Sequence, residues 1–97
     1  MEKYHIAVLI DEAAVDRRIR ELGEQISRDY AGKTVNLICS LKGSVYFTCE
    51  LAKRITVPVV MDFMQCSSYG AATKSSGVVK LSKDLDMAIT DRDVIII

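Results

Sequence analysis

Two kinds of apolar run take turns along this chain, one spaced for a helix and one nearly continuous. Between Asp11 and Tyr30 the residues Val15, Ile19, Leu22, Ile26 and Tyr30 recur every three or four positions, which stripes a single helix face. Arg17, Arg18, Glu21, Glu24 and Arg28 fall on the other side and predict a solvated face. Asp11 is a good N-cap, Ile10 and Val15 stand at the two positions of a hydrophobic staple, and Gly32 supplies the stop. A second helix is predicted from Gly43-Ser44 to about Arg54. Val45, Tyr46, Phe47, Cys49, Leu51 and Ala52 make it apolar on nearly every side, so it is expected to lie under other structure. Thr56-Val57-Pro58 ends it, because the residue before a proline is pushed out of helical geometry.

The continuous runs are Thr34 to Ser40, Pro58 to Cys66, Val78 to Leu81 and Val94 to Ile97. Strands apolar on both faces belong to sheets covered on both sides, and strand, helix, strand in succession predicts a parallel α/β sheet with flanking helices. Pro58 sits at the first position of its run, the one place a ladder tolerates it. A final strand ending in a free carboxylate at the carboxyl edge of such a sheet leads us to expect a chain cut short.

Composition adds exclusions. The 97 residues fit one small domain, and 13 basic against 13 acidic side chains give no net charge. Nucleic-acid binding is not expected, since it calls for a basic excess or stripe. The apolar run Ile6 to Ile10 is short for a signal-peptide core, and no window approaches the eighteen or so apolar residues of a membrane span. Cys39, Cys49 and Cys66 form no CxxC pair, and they are expected to be reduced, buried thiols in a cytoplasmic protein.

Candidate chemistry concentrates in two connections. Ser40-Leu41-Lys42-Gly43-Ser44 joins a buried strand to a helix. Free amides at the helix start, the positive end of its dipole, Lys42 and the permissive backbone of Gly43 suit a phosphate or diphosphate. The same residues also make a plain strand-to-helix connection capped by Ser44. The turn is neither a P-loop nor GxGxxG. Ser67 to Gly77, small and polar, reads either as an active-site lid or as a connection without a role. Asp84 and Asp86 are expected to be turn carboxylates, His5 a surface residue, and Asp62 a buried, paired structural carboxylate.

Taken together, LKGS at 41–44, VVMDFMQCSSYG at 59–70 and KSSGVVKLSKDLDMAITDRDVIII at 74–97 resemble the bacterial hypoxanthine(-guanine) phosphoribosyltransferases, and RELGEQISRDY at 20–30 is similar as well. The resemblance implies the type I phosphoribosyltransferase fold, with residues 1–97 as the N-terminal portion of a single domain, cut after the strand that precedes the phosphoribosyl-binding loop. It implies purine salvage: Mg²⁺-dependent transfer of ribose 5-phosphate from phosphoribosyl pyrophosphate to hypoxanthine or guanine, giving IMP or GMP and pyrophosphate. Leu41, Lys42, Gly43 and Ser44 match the pyrophosphate-binding turn, with a cis peptide expected before Lys42. Ser68 and Tyr69 match the loop that closes during catalysis. Metal ligands, the general base and the base-selecting residues would lie beyond Ile97, so this chain alone is expected to be inactive. The complete protein is expected to be a homo-oligomer, a dimer or tetramer. A non-catalytic product of the same fold, short by nature or made for subunit contact, is the alternative. Asp91 stands where the family usually has glycine.

Overall fold

A computed structural model describes residues 7–68 and 79–97 of the chain. Two helices and four strands follow in the order α1 (Glu12–Asp29), β1 (Val35–Ser40), α2 (Val45–Ala52), β2 (Val59–Ser68), β3 (Val79–Lys83) and β4 (Asp93–Ile96). Helix α1 starts where its cap dictates: the Asp11 carboxylate accepts the Ala14 N–H at 2.7 Å. The expected staple covers little, because Ile10 and Val15 remain 66% and 44% exposed. After α1 a turn closes from Lys33 N–H to the Tyr30 carbonyl at 2.9 Å. Its third residue, Gly32, has φ +79°, a conformation costly for any side chain with a Cβ.

The four strands form one sheet in the order β3-β2-β1-β4. β1 pairs in parallel with β2, Val35 opposite Val59 through Ser40 opposite Met64, and on its other side with β4, Val35 opposite Asp93. The parallel expectation therefore holds for three strands. β3 instead runs antiparallel beside β2, with an irregularity at Gln65/Cys66. The reason is length: ten residues separate Ser68 from Val79, fewer than the dozen or more of a parallel crossover.

β1 is the axis of the core. Val35 and Leu37 turn one side toward α1 and α2, in a cluster with Ile19, Leu51 and Ile55, and with Val59, Met61, Ile95 and Ile97 packed around it. Asn36 and Ile38 lie on the opposite side, where the Arg92 guanidinium reaches the Asn36 amide oxygen at 3.5 Å. Alternation along β1 thus survives inside a strand buried on both faces, which is why its hydropathy pattern looks continuous.

α2 departs from expectation. Only Thr48 and Leu51 are buried in it, while Tyr46 is 87% exposed and Cys49 is exposed. One side packs on β1 and α1, and none of the described residues covers the other. Cys66 is exposed as well, so burial of all three thiols is corrected: Cys39 alone is buried, because it alone lies in the central strand. α1 and the end of α2 meet closely. Arg54 Nη2 bonds Asp16 at 2.6 Å, and Ser27 Oγ accepts the Thr56 N–H at 2.9 Å while donating to the Gly23 carbonyl at 2.7 Å.

Candidate active site: a turn at the switch point of the sheet

From β1 the chain crosses to β2 on one side, and β4 lies on the other. The carboxyl end of β1 is therefore the topological switch point, the place where open α/β sheets leave a crevice for ligands. Residues 41–44 occupy that end. Leu41 N–H bonds the Met64 carbonyl of β2 at 2.8 Å, and Ser40 N–H bonds the Ile97 carbonyl beyond β4 at 3.2 Å. Both neighbouring strands thus hold the root of the turn, while Lys42 and Gly43 at its crest are exposed. The Leu41–Lys42 peptide bond is cis, as the resemblance led us to expect.

Along the turn, Val45 N–H bonds the Lys42 carbonyl at 3.1 Å and Thr48 N–H bonds the Ser44 carbonyl at 2.9 Å. The N–H groups of Gly43, Ser44, Tyr46 and Phe47 have no acceptor among the described residues. These are the donors a helix start normally leaves open. Ser44 stands at the N-cap, yet its side chain makes no capping bond; the plain capped connection is therefore not what forms.

Gly43 also differs from its sequence reading. Its φ is not positive, and a Cβ built there would meet nothing within 4 Å. Neither backbone conformation nor packing against the described residues demands glycine at this position. A side chain would occupy only the open space over the crest, where a ligand could approach the main chain.

β2 continues past the turn from Gln65 to Ser68, paired with β3 alone. Ser68 ends that strand; Tyr69 and His5 lie outside the described residues. Sequence reasoning singled out Asp62 as a buried, paired structural carboxylate without naming its partners. It is 4% exposed on the second face of the sheet. Rather than pairing with a single cation, it accepts the N–H groups of Phe63 at 2.8 Å, Asp86 at 2.9 Å and Met87 at 3.1 Å. Lys83 Nζ caps the same corner, on the Phe63 carbonyl at 3.0 Å and the Asp84 carbonyl at 2.9 Å. Burial by itself raises the Asp62 pKa, but the three N–H donors and the Lys83 charge outweigh it and hold the carboxyl below its ordinary value. Asp62 thereby fastens the 84–87 turn across β2. Asp84 and Asp86 are turn carboxylates, accepting from Leu85 N–H at 2.7 Å and Lys83 Nζ at 3.3 Å.

A carboxyl whose pKa is lowered by folding contributes stability above its unfolded value, about 3.9, and loses it as pH falls through the folded value. Unfolding midpoints measured from pH 6 down to pH 2 should therefore fall more steeply for the natural chain than for Asp62→Asn. Parallel curves would mean the carboxylate is not ionised in the fold.

A cleft of about 360 Å³ opens at the opposite, amino ends of β1 and β4, lined by Lys33, Thr34, Asn36, Asp91, Arg92 and Asp93. Its cations and carboxylates balance, and it lies on the far side of the sheet from the turn. Asp91 there has φ +60°, a left-handed conformation that favours glycine and that Asp is among the few residues to tolerate. Among the described residues no group of three His, Cys, Asp or Glu side chains could hold a metal ion, and no helix is long and apolar enough to cross a membrane.

A mixed α/β sheet, parallel around its central strand, with a strand-to-helix turn at its switch point defines the class, and comparison with known proteins defines the family. Residues 5–97 match the phosphoribosyl transferase domain, and the chain belongs to that family. It is similar to hypoxanthine-guanine phosphoribosyltransferase of Streptococcus thermophilus, 47% identical over 97 residues, covering 100% of this chain and 54% of that protein. The enzyme of that name from Mycobacterium tuberculosis is also 47% identical, over 94% of this chain and 48% of its own. Among solved structures, a hypoxanthine-guanine phosphoribosyltransferase from Bacillus anthracis superposes with TM-score 0.86 at 41% identity, covering 94% of this chain and 54% of that one. A hypoxanthine phosphoribosyltransferase from Staphylococcus aureus gives TM-score 0.86 at 41% identity, over 93% and 49%. The chain spans about half the length of the curated relatives it matches.

Proposed function

We propose that this chain is the diphosphate-holding portion of a purine phosphoribosyltransferase domain. The reaction is transfer of ribose 5-phosphate from phosphoribosyl pyrophosphate to hypoxanthine or guanine, giving IMP or GMP and pyrophosphate. The observation that carries the reading is the crest at Lys42-Gly43. Open N–H groups at a helix start meet one exposed lysine at the sheet's switch point, over a glycine that no described residue crowds. Diphosphate is the most highly charged group of the proposed substrate and leaves with added charge. A turn of main-chain donors and one ammonium binds it and favours its departure. Leu41 and Ser44 frame the crest. Ser68 and Tyr69 are assigned, from the resemblance, to the segment that excludes water from the reacting sugar.

The same reading implies Mg²⁺, but the described residues offer no acidic cluster to hold it. The purine base follows from the relatives' names, and a second subunit and a cytoplasmic setting belong to the same proposal.

Titration of the chain with inorganic diphosphate, followed by amide chemical shifts, tests the reading. The largest shifts are expected at Gly43, Ser44, Tyr46 and Phe47, and Lys42→Ala should weaken binding about 10- to 100-fold, the worth of one charge-assisted hydrogen bond. Shifts confined to the Lys33/Arg92 cleft would defeat the assignment. Incubation with phosphoribosyl pyrophosphate, Mg²⁺ and hypoxanthine should give no nucleotide from these 97 residues alone.

A further inference from the structure

Ser44 is where the turn becomes a helix, and its hydroxyl does something other than cap. It donates to the Ser40 carbonyl at 2.6 Å, across the base of the turn. The Cys39 thiol, in the fully buried part of β1, lies 3.5 Å from the same oxygen. Ser44's own carbonyl accepts twice from one residue: Thr48 N–H at 2.9 Å and Thr48 Oγ1 at 2.7 Å. Thr48 has no exposed surface. The two ends of the turn are thus joined to each other and to a buried hydroxyl one helical turn below.

A serine hydroxyl carries one hydrogen. Phosphate oxygens at neutral pH are acceptors and need that hydrogen. Since it is spent on Ser40, the Ser44 side chain has none to offer an anion. Thr48 Oγ1 donates to the Ser44 carbonyl, and the Cys39 thiol hydrogen has two acceptors in reach, Ser44 Oγ at 3.5 Å and the Ser40 carbonyl at 3.9 Å, so neither contact calls on the Ser44 hydrogen.

We propose that Ser44 is a positioning residue for the anion turn and not a side-chain ligand: its hydroxyl closes the loop from Ser40 to Ser44, so that the Gly43 and Ser44 N–H groups are aimed before any anion arrives. The proposal rests on the diphosphate reading for its purpose, though not for the brace itself. Order of this kind raises affinity by removing the cost of arranging the donors at the moment of binding. Ser40 is exposed, so water can replace the lost bond in a variant, and the fold as a whole should survive.

The test separates the brace from the ligand. Amide hydrogen exchange at Val45 and Thr48, whose N–H groups bond the Lys42 and Ser44 carbonyls of the turn, is measured without ligand in the natural chain, Ser44→Ala and Ser44→Thr, and diphosphate affinity is measured in the same three. Ser44→Ala should exchange at least several-fold faster at those two amides, with exchange in β1 unchanged, and should bind diphosphate about three- to tenfold more weakly. Ser44→Thr, which keeps the hydroxyl, should restore both. Unchanged exchange with weakened binding would show the hydroxyl touching the anion directly and overturn the proposal, as would no change in either. A threonine variant as disturbed as the alanine one would also overturn it. If the natural chain fails to bind diphosphate, the proposed function falls, while the exchange data alone still decide whether the brace exists.

Discussion

Leu37→Ala is expected to lower the unfolding free energy by about 3 kcal/mol. Leu37 has no exposed surface, stands midway along β1 and has paired strands on both sides. It meets Ile19 of α1, Leu51 of α2 and Ile55 in the segment that follows α2. Truncation removes the transfer energy of its methyl groups and leaves a void. The neighbours cannot collapse into it, because the ladder on either side fixes the backbone. Against the roughly 5–15 kcal/mol that holds a chain of this size, the loss is large. The thermal midpoint should fall by about 12–20 °C. Leu37→Met, which keeps the volume, should cost less than about 1.5 kcal/mol. Urea titrations of the three proteins decide it. A loss below about 1 kcal/mol for alanine would show that β1 is not the packed axis described above.

Gly23→Val should cost about 3 kcal/mol, and Gly23→Ala about 1 kcal/mol, both destabilising despite better helix formers. The sign is the informative part. On an exposed helix, alanine gains about 1 kcal/mol over glycine. Here a Cβ on Gly23 would run into Arg54 Cβ and come within 2.8 Å of the Arg54 carbonyl oxygen and 2.9 Å of its carbon. Backbone atoms cannot swing aside as a flexible side chain can, so α1 must lift away. Lifting it strains Asp16–Arg54 and Ser27–Thr56 as well. Overpacking of this sort costs about 1–3 kcal/mol per added group and exceeds the propensity gain. Urea midpoints that rise for Gly23→Ala would mean the two segments are not in contact in solution.

Much of this was legible from spacing. The Asp11 cap, the buried stripe of α1 and the stop at Gly32 are local effects, and local sequence determines them. The parallel pairing of β1, β2 and β4 followed from their two-faced apolar runs. What spacing could not show were contacts between distant segments. Gly23 reads as a weak spot in a helix until Arg54 is placed against it. Asp62 reads as an ion-pair member because main-chain donors carry no mark in sequence; two of the three come from the 84–87 turn, more than twenty residues away. Ser44 reads as a helix cap by residue type, and only geometry shows the hydroxyl turned back to Ser40. The exposed side of α2 was missed for a simpler cause: hydropathy records what a side chain prefers, not whether anything is there to cover it.

The close seat of α1 on Arg54 reaches further than stability. α2 is eight residues, a rigid rod about 12 Å long, wedged at one end against Gly23 and carrying Lys42 and Gly43 just ahead of the other. A rod transmits displacement along its length without absorbing it. Half an ångström gained beneath the distant end arrives at the crest nearly intact, where donor geometry tolerates little more. If the turn holds diphosphate as proposed, its grip depends in part on α1, packed near the far end of α2.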